Sequence, residues 1–89
     1  MSAVKNIFAP KSSRVLRVLL VDFGKDWDER ELAQEACVSS GLAHYVCRTL
    51  AELGFAARNE RNRIILVDPL RLLKRWASYH QYDRMNRFL

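Results

Sequence analysis

The sequence predicts a mostly helical fold with one small β-hairpin, and three observations carry that expectation. Apolar residues recur at helical spacing in four stretches. Two short apolar runs flank the polar turn Asn59-Glu60-Arg61-Asn62. The order in which these pieces fall is helix, helix, turn, helix, strand, strand, helix. An 89-residue chain has room for one domain and one modest core. With 49% hydrophobic and 28% charged residues, that chain has the composition of a soluble globular protein rather than a disordered one.

Residues 1–11 read as a lead-in, with Ile7 and Phe8 packing on the domain and Pro10 blocking a continuous helix. Ser12 or Ser13 is then expected to cap a first helix that runs to about Phe23. Its buried stripe is Val15, Leu16, Leu19, Leu20 and Phe23, its outer face Arg14, Arg17 and Asp22, and Gly24 ends it. In the second helix Asp28 and Glu31 stand at capping-box spacing, and Leu32, Ala33 and Ala36 form a small inward face. The turn "VSSG" comes next, with Val38 plugging the angle between two helices.

Ser39 or Ser40 caps the third helix, where Ala43, Val46, Cys47, Leu50 and Leu53 follow the spacing of a core stripe. Gly54 stands where a left-handed residue is wanted. Next, "FAARNERNRIILVD" reads as two short strands with Asn59 and Asn62 as turn formers. Asp68-Pro69 starts the last helix, Asp as cap and Pro at the first position. Leu70, Leu73, Trp76, Ala77 and His80 are expected along its buried face. Leu72, Tyr79, Tyr82, Met85, Phe88 and Leu89 widen its apolar surface beyond the needs of so small a core. The expected organisation is therefore a domain over 12–67 and a C-terminal helix over 68–89. That helix serves packing, dimerisation or a link to further protein.

A tri-helical unit followed by a β-ribbon has the architecture of a winged helix-turn-helix: a three-helix core, a two-stranded wing and here an additional C-terminal helix. In that arrangement the third helix buries one side and turns the other toward a DNA major groove. Its free side holds Ser40, Gly41, His44, Tyr45 and Arg48, where an ordinary surface helix offers Lys and Glu.

The charge pattern has three blocks. Residues 1–21 carry four bases and no acid, residues 22–35 six acids against Lys25 and Arg30, and residues 36–89 nine bases against four acids. The net charge of +5 thus sits at the two ends of the chain. A polyanion touching some elements and avoiding another fits this pattern.

"RELAQEACVSSGLAHYVCRTLAELGFAAR" resembles the helix-turn-helix of winged-helix transcriptional regulators, the broad group that includes the IclR and MarR types. Ala33, Ala36, Val38, Ser39 or Ser40, Leu50, Gly54 and Phe55 carry the likeness, and "SSRVLRVLL" resembles the opening helix of the IclR type. The stretch "VDPLRLLKRWASYHQY" is similar to the segment after the wing in AbiEi-type antitoxins. The resemblance implies double-stranded DNA as partner, transcriptional regulation, and action as a homodimer, here through the C-terminal helix. Leu42 and Tyr45 stand where such families often present Ser, Thr or Arg, so base contacts do not carry across.

The residues expected at DNA are Ser40, Gly41, His44, Tyr45 and Arg48 on the third helix and Arg61 and Arg63 on the wing. Bland roles compete with each: Tyr45 packing against the wing, Arg48 pairing with Glu52 at i, i+4, His44 simply solvated, the wing arginines merely solubilising. A winged helix used only for protein contacts is the alternative function.

No nucleophile, base and orienting group stand at workable spacing, so no enzyme is expected. Nor is a cofactor or a metal: Cys37 and Cys47 are ten apart and read as two small buried side chains, and neither His44 nor His80 has ligands at metal spacing. No apolar run is longer than the four residues Val18 to Val21, against the roughly 20 of a membrane span. With no signal-peptide core at the start, the expected compartment is the cytoplasm.

Overall fold

The computed structural model describes residues 6–87, with side chains described as far as Tyr79. Among these residues run four helices and a two-stranded antiparallel sheet: α1 (Pro10–Val21), α2 (Glu29–Ala36), α3 (Ser40–Glu52), β1 (Ala56–Arg58), β2 (Ile64–Leu66) and α4 (Pro69–Arg87). No described helix is long and apolar enough to cross a membrane.

The first helix begins before the serines. Pro10 occupies its first turn, where a missing N–H is no loss, and Ala9 is the N-cap. Ser12 and Ser13 lie buried inside the helix, and the Ser13 hydroxyl donates to the Pro10 carbonyl at 2.9 Å. The proline thus opens the helix it was expected to block. At the other end the helix stops at Val21 with Asp22 as C-cap. Phe23 therefore leaves the helical phase that would have buried it, and is 57% exposed. Val15, Leu16 and Leu19 fill the core as their spacing requires.

Asp28 is the N-cap of α2, but its side chain makes no capping bond. Glu31, the other half of the expected box, accepts from Arg63 instead. A pairing across the fold has replaced the local one. The helix ends on Cys37 in the left-handed region at φ 57°. The N–H groups of Cys37 and Val38 close on the carbonyls of Gln34 and Ala33 at 3.2 and 3.0 Å. That conformation leaves Cys37 exposed, against the expectation that both cysteines are buried; Cys47 is buried.

Ser39 takes the cap of α3, its hydroxyl accepting from the Leu42 N–H at 3.1 Å. Ala43, Val46, Cys47 and Leu50 are fully buried, whereas Leu53, already the C-cap, is 40% exposed. Gly54 adopts φ +84°, in the left-handed region that favours glycine. The chain reverses there, and the Phe55 N–H closes on the Leu50 carbonyl at 2.9 Å.

In the hairpin Ala56 faces Leu66 and Arg58 faces Ile64. The Asn59 side-chain oxygen accepts from the Arg61 and Arg63 N–H groups at 2.9 and 3.0 Å, and Asn62 sits at φ 61°, so both asparagines shape the turn. A third pairing has no local signal in the sequence. Trp27, in the loop between α1 and α2, exchanges two backbone bonds of 2.8 Å with Ile64. One residue thus stitches the hairpin to the helical layer.

Asp68 caps α4, accepting from the Arg71 N–H at 3.3 Å. The helix is rotated from the expected facing. Leu72 is fully buried, and Trp76 stacks on Phe8 with ring centroids 6.2 Å apart, while Tyr79 lies 5.3 Å from the same ring. Leu70 and Leu73, expected inside, are 62% and 47% exposed, and Ala77 is exposed as well. The lead-in explains the rotation: Ile7 is buried in the core and Phe8 claims the side of α4 that carries Trp76 and Tyr79. His80, Tyr82, Met85, Phe88 and Leu89 lie outside the residues with described side chains.

Phe55 is among the largest fully buried side chains, with the Arg71 guanidinium 4.9 Å from its ring centroid. Its replacement by alanine should cost about 3–5 kcal/mol in urea unfolding. Ser39→Ala, which removes only a cap, should cost about 1 kcal/mol. Equal costs would contradict this layout of the core.

Candidate functional site

The solvent face of α3 follows from its burial pattern. With Ala43, Val46, Cys47 and Leu50 turned inward, Ser40, Gly41, His44, Arg48, Ala51 and Glu52 form the opposite stripe, all exposed. Ser39 holds the Leu42 N–H by its side chain and the Ala43 N–H by its carbonyl at 3.1 Å. Ser40 and Gly41 open the helix, and N–H groups at these positions take no acceptor from within it. This end combines small side chains, backbone donors and the positive pole of the helix.

Tyr45 lies between the two faces: it is half-buried and packs against the core cluster. Arg48 is 71% exposed and paired with Glu52 at 3.3 Å, the i, i+4 partner that spacing suggested. An exposed pair of this kind is worth about 0.3–0.5 kcal/mol, so a competing anion displaces it at little cost. His44 is 60% exposed, but its Nδ1 lies 3.0 Å from Glu29 Oε1.

The hairpin arginines differ among themselves. Arg61 is exposed at the tip, with no side-chain hydrogen bond or ion pair among the described residues. Arg63 is turned back toward the helices. It donates to Asp26 Oδ1 at 3.2 Å, to the Asp26 carbonyl at 3.2 Å and to Glu31 Oε1 at 3.0 Å. Arg58, at the end of β1 and outside the expected site residues, donates to the second Glu29 oxygen and to the Asn62 carbonyl at 3.2 Å.

One carboxylate therefore joins three elements. Glu29, at the start of α2, takes His44 from α3 on one oxygen and Arg58 from β1 on the other. Asp28, Glu29, His44, Arg58 and Asn62 line a cleft of about 250 Å³ between these elements. The acidic block of the chain thus lies against the basic hairpin. Local charge counting could not reveal this, since Glu29 and Arg58 meet only through the fold.

The carboxyls of this network respond accordingly. Burial pushes the Glu29 carboxyl up, but hydrogen bonds and charge from Arg58 and His44 together outweigh it and hold it below its ordinary 4.5. At Asp26 the hydrogen bond from Arg63 is the largest influence and overcomes desolvation, holding that carboxyl below 3.8. Burial raises the Cys47 thiol to about 12, with Glu29 adding to the rise, so this thiol stays protonated. Among the described residues no group of three or more His, Cys, Asp or Glu is placed to hold a metal ion. No family model matches the chain, and no curated protein or solved structure matches it significantly.

Carboxyls depressed on folding add stability that is complete above their ordinary values and lost as pH falls through the folded ones. The melting temperature should therefore drop as pH falls below about 4.5. An Asp26→Asn, Glu29→Gln double variant should start lower at neutral pH and lose less over that range. Parallel melting curves for the two proteins would contradict the assignment.

Proposed function

We propose that the chain is a winged helix-turn-helix DNA-binding domain that regulates transcription from the cytoplasm, and that α3 enters the major groove of double-stranded DNA. The observation that carries this reading is the solvent face of α3. Ser40, Gly41, His44 and Arg48 lie together on it, free of the core, and the hairpin comes directly after it with Arg61 exposed at its tip. The Trp27–Ile64 bridge supports the wing, because it fixes the hairpin to the loop before α2 and so sets its angle to α3.

In this reading the Ser40 and Gly41 N–H groups meet a phosphate at the helix N-terminus. His44 and Arg48 lie one and two turns further along and reach into the groove. Arg48 exchanges Glu52 for a guanine edge, a contact that discriminates by about 1–3 kcal/mol and exceeds what the exposed pair holds. Tyr45 packs at the groove wall with its ring against the domain. Arg61 grips the backbone or a narrow minor groove. Arg63, with three bonds to α2 and the loop before it, anchors the base of the wing.

The outward turn of Leu70, Leu73 and Ala77 suits α4 to pair with its copy in a homodimer. Two α3 helices then stand about 34–36 Å apart, one turn of DNA. Leu73→Glu should convert a dimer to a monomer in sedimentation equilibrium. A wild-type chain that is already monomeric at micromolar concentration would remove this part of the reading.

One observation favours a protein-interaction module instead. Arg58 and Arg63 are balanced by Glu29, Asp26 and Glu31, while Val21 at 86% and Phe23 at 57% expose apolar surface elsewhere. Titration against random duplex DNA at two salt concentrations separates the readings. DNA binding predicts an affinity that falls about a hundredfold between 50 and 200 mM salt, for about four phosphate contacts. Arg61→Ala should lower that salt slope by about one, whereas Arg48→Ala should flatten sequence preference. A folded protein with no affinity at low salt would favour the interaction module.

A further inference from the structure

We propose that Glu29 restrains the phosphate affinity of the DNA-facing surface by holding the Arg58 guanidinium and the His44 ring, so that sequence-independent binding to the duplex backbone is kept weak. The inference rests on the DNA-binding reading above. Its basis is the geometry of the cleft between α2, α3 and the hairpin. Glu29 Oε1 lies 3.0 Å from His44 Nδ1, and its other oxygen accepts from the Arg58 guanidinium. The side chains of Glu29 and Arg58 are 24% and 29% exposed, so their contact is less open to water than the Arg48–Glu52 pair at 71% and 64%, while His44 is 60% exposed. Sheltered pairs are screened less by salt than exposed ones.

The consequence is a division of labour among the basic side chains of α3 and the hairpin. Arg48 and Arg61 are available to any phosphate at small cost. Arg58, the less exposed, meets a phosphate only where it leaves Glu29. A random duplex supplies only the backbone attraction common to all sequences. A duplex that also engages the α3 face gains contacts that offset the loss of the Glu29 pairs. Glu29 thereby lowers affinity for duplex DNA whatever its sequence.

The test uses the full 89-residue chain and a random-sequence duplex. Glu29→Gln frees Arg58 and His44. It should raise affinity about fivefold at near-physiological salt and steepen the salt slope by about one, the effect of one added phosphate contact from Arg58. Glu35→Gln removes the same charge from an exposed position of α2, and should leave the slope unchanged. Glu29→Asp keeps the charge but shortens the reach by one methylene, so it should also raise affinity, by a few-fold. It remains informative if the glutamine variant does not fold. Adding Arg58→Gln to Glu29→Gln should abolish most of the gain.

A wild-type chain that binds the duplex, with folded Glu29 variants no tighter than Glu35→Gln, overturns the role of Glu29 and leaves the DNA-binding reading standing. Folded wild-type and Glu29→Gln chains that both fail to bind at low salt overturn the two together.

Discussion

The arrangement depends most on the pairing between the acidic start of α2 and the arginines of the hairpin. The chain brings residues 26–31 against residues 58–63. The Trp27–Ile64 backbone bridge lies in the middle of that seam, with its two 2.8 Å bonds. Without the seam the hairpin would be a two-stranded ribbon of three residues per strand, which is marginal by itself in water. With it, the ribbon becomes an edge of the helical core: Phe55, Ala56, Ile64 and Leu66 are buried alongside Leu32, Val46 and Leu50. The position of the hairpin beside α3, and hence the shape of any surface the two share, follows from this one junction.

That junction also reorganises the charge of the molecule. Along the chain the acids form one block and the bases two, a pattern that suggests separate regions for a polyanion to touch and to avoid. In three dimensions Asp26, Glu29 and Glu31 meet Arg63 and Arg58. On α3 and the hairpin, the basic groups left outside that seam are Arg48, paired with Glu52, and Arg61 at the tip. A surface of this kind favours contacts with several weak points of attachment over a single strong electrostatic one.

Much of the fold was legible because its signals are local. The serine cap and core spacing of α3, the glycine at its end, the asparagine-shaped turn and the Asp68-Pro69 start each act within a few residues. Some misses were local, as at Pro10, Phe23 and Cys37, and the others arose where a distant partner decided the outcome. Glu31 left its capping role for Arg63, and Phe8 chose which side of α4 is inside. Trp27 found Ile64 across 37 positions, without any alternation in its own stretch to mark a strand. At the α3 face the outward residues were readable from periodicity, whereas their partners were not. The Arg48–Glu52 pair is local and was foreseeable; the grip of Glu29 on His44 and Arg58 is not.

In the proposed function the face bearing Ser40, Gly41, His44 and Arg48 meets nucleic acid. Backbone amide NMR shifts of the labelled chain, followed as random duplex DNA is added at low salt, test it most directly. The largest changes should fall on residues 40–48 and on Arg61 at the hairpin tip, with Val21 and Phe23 unmoved. Changes concentrated at Val21 and Phe23, or spread evenly over the molecule, would contradict it.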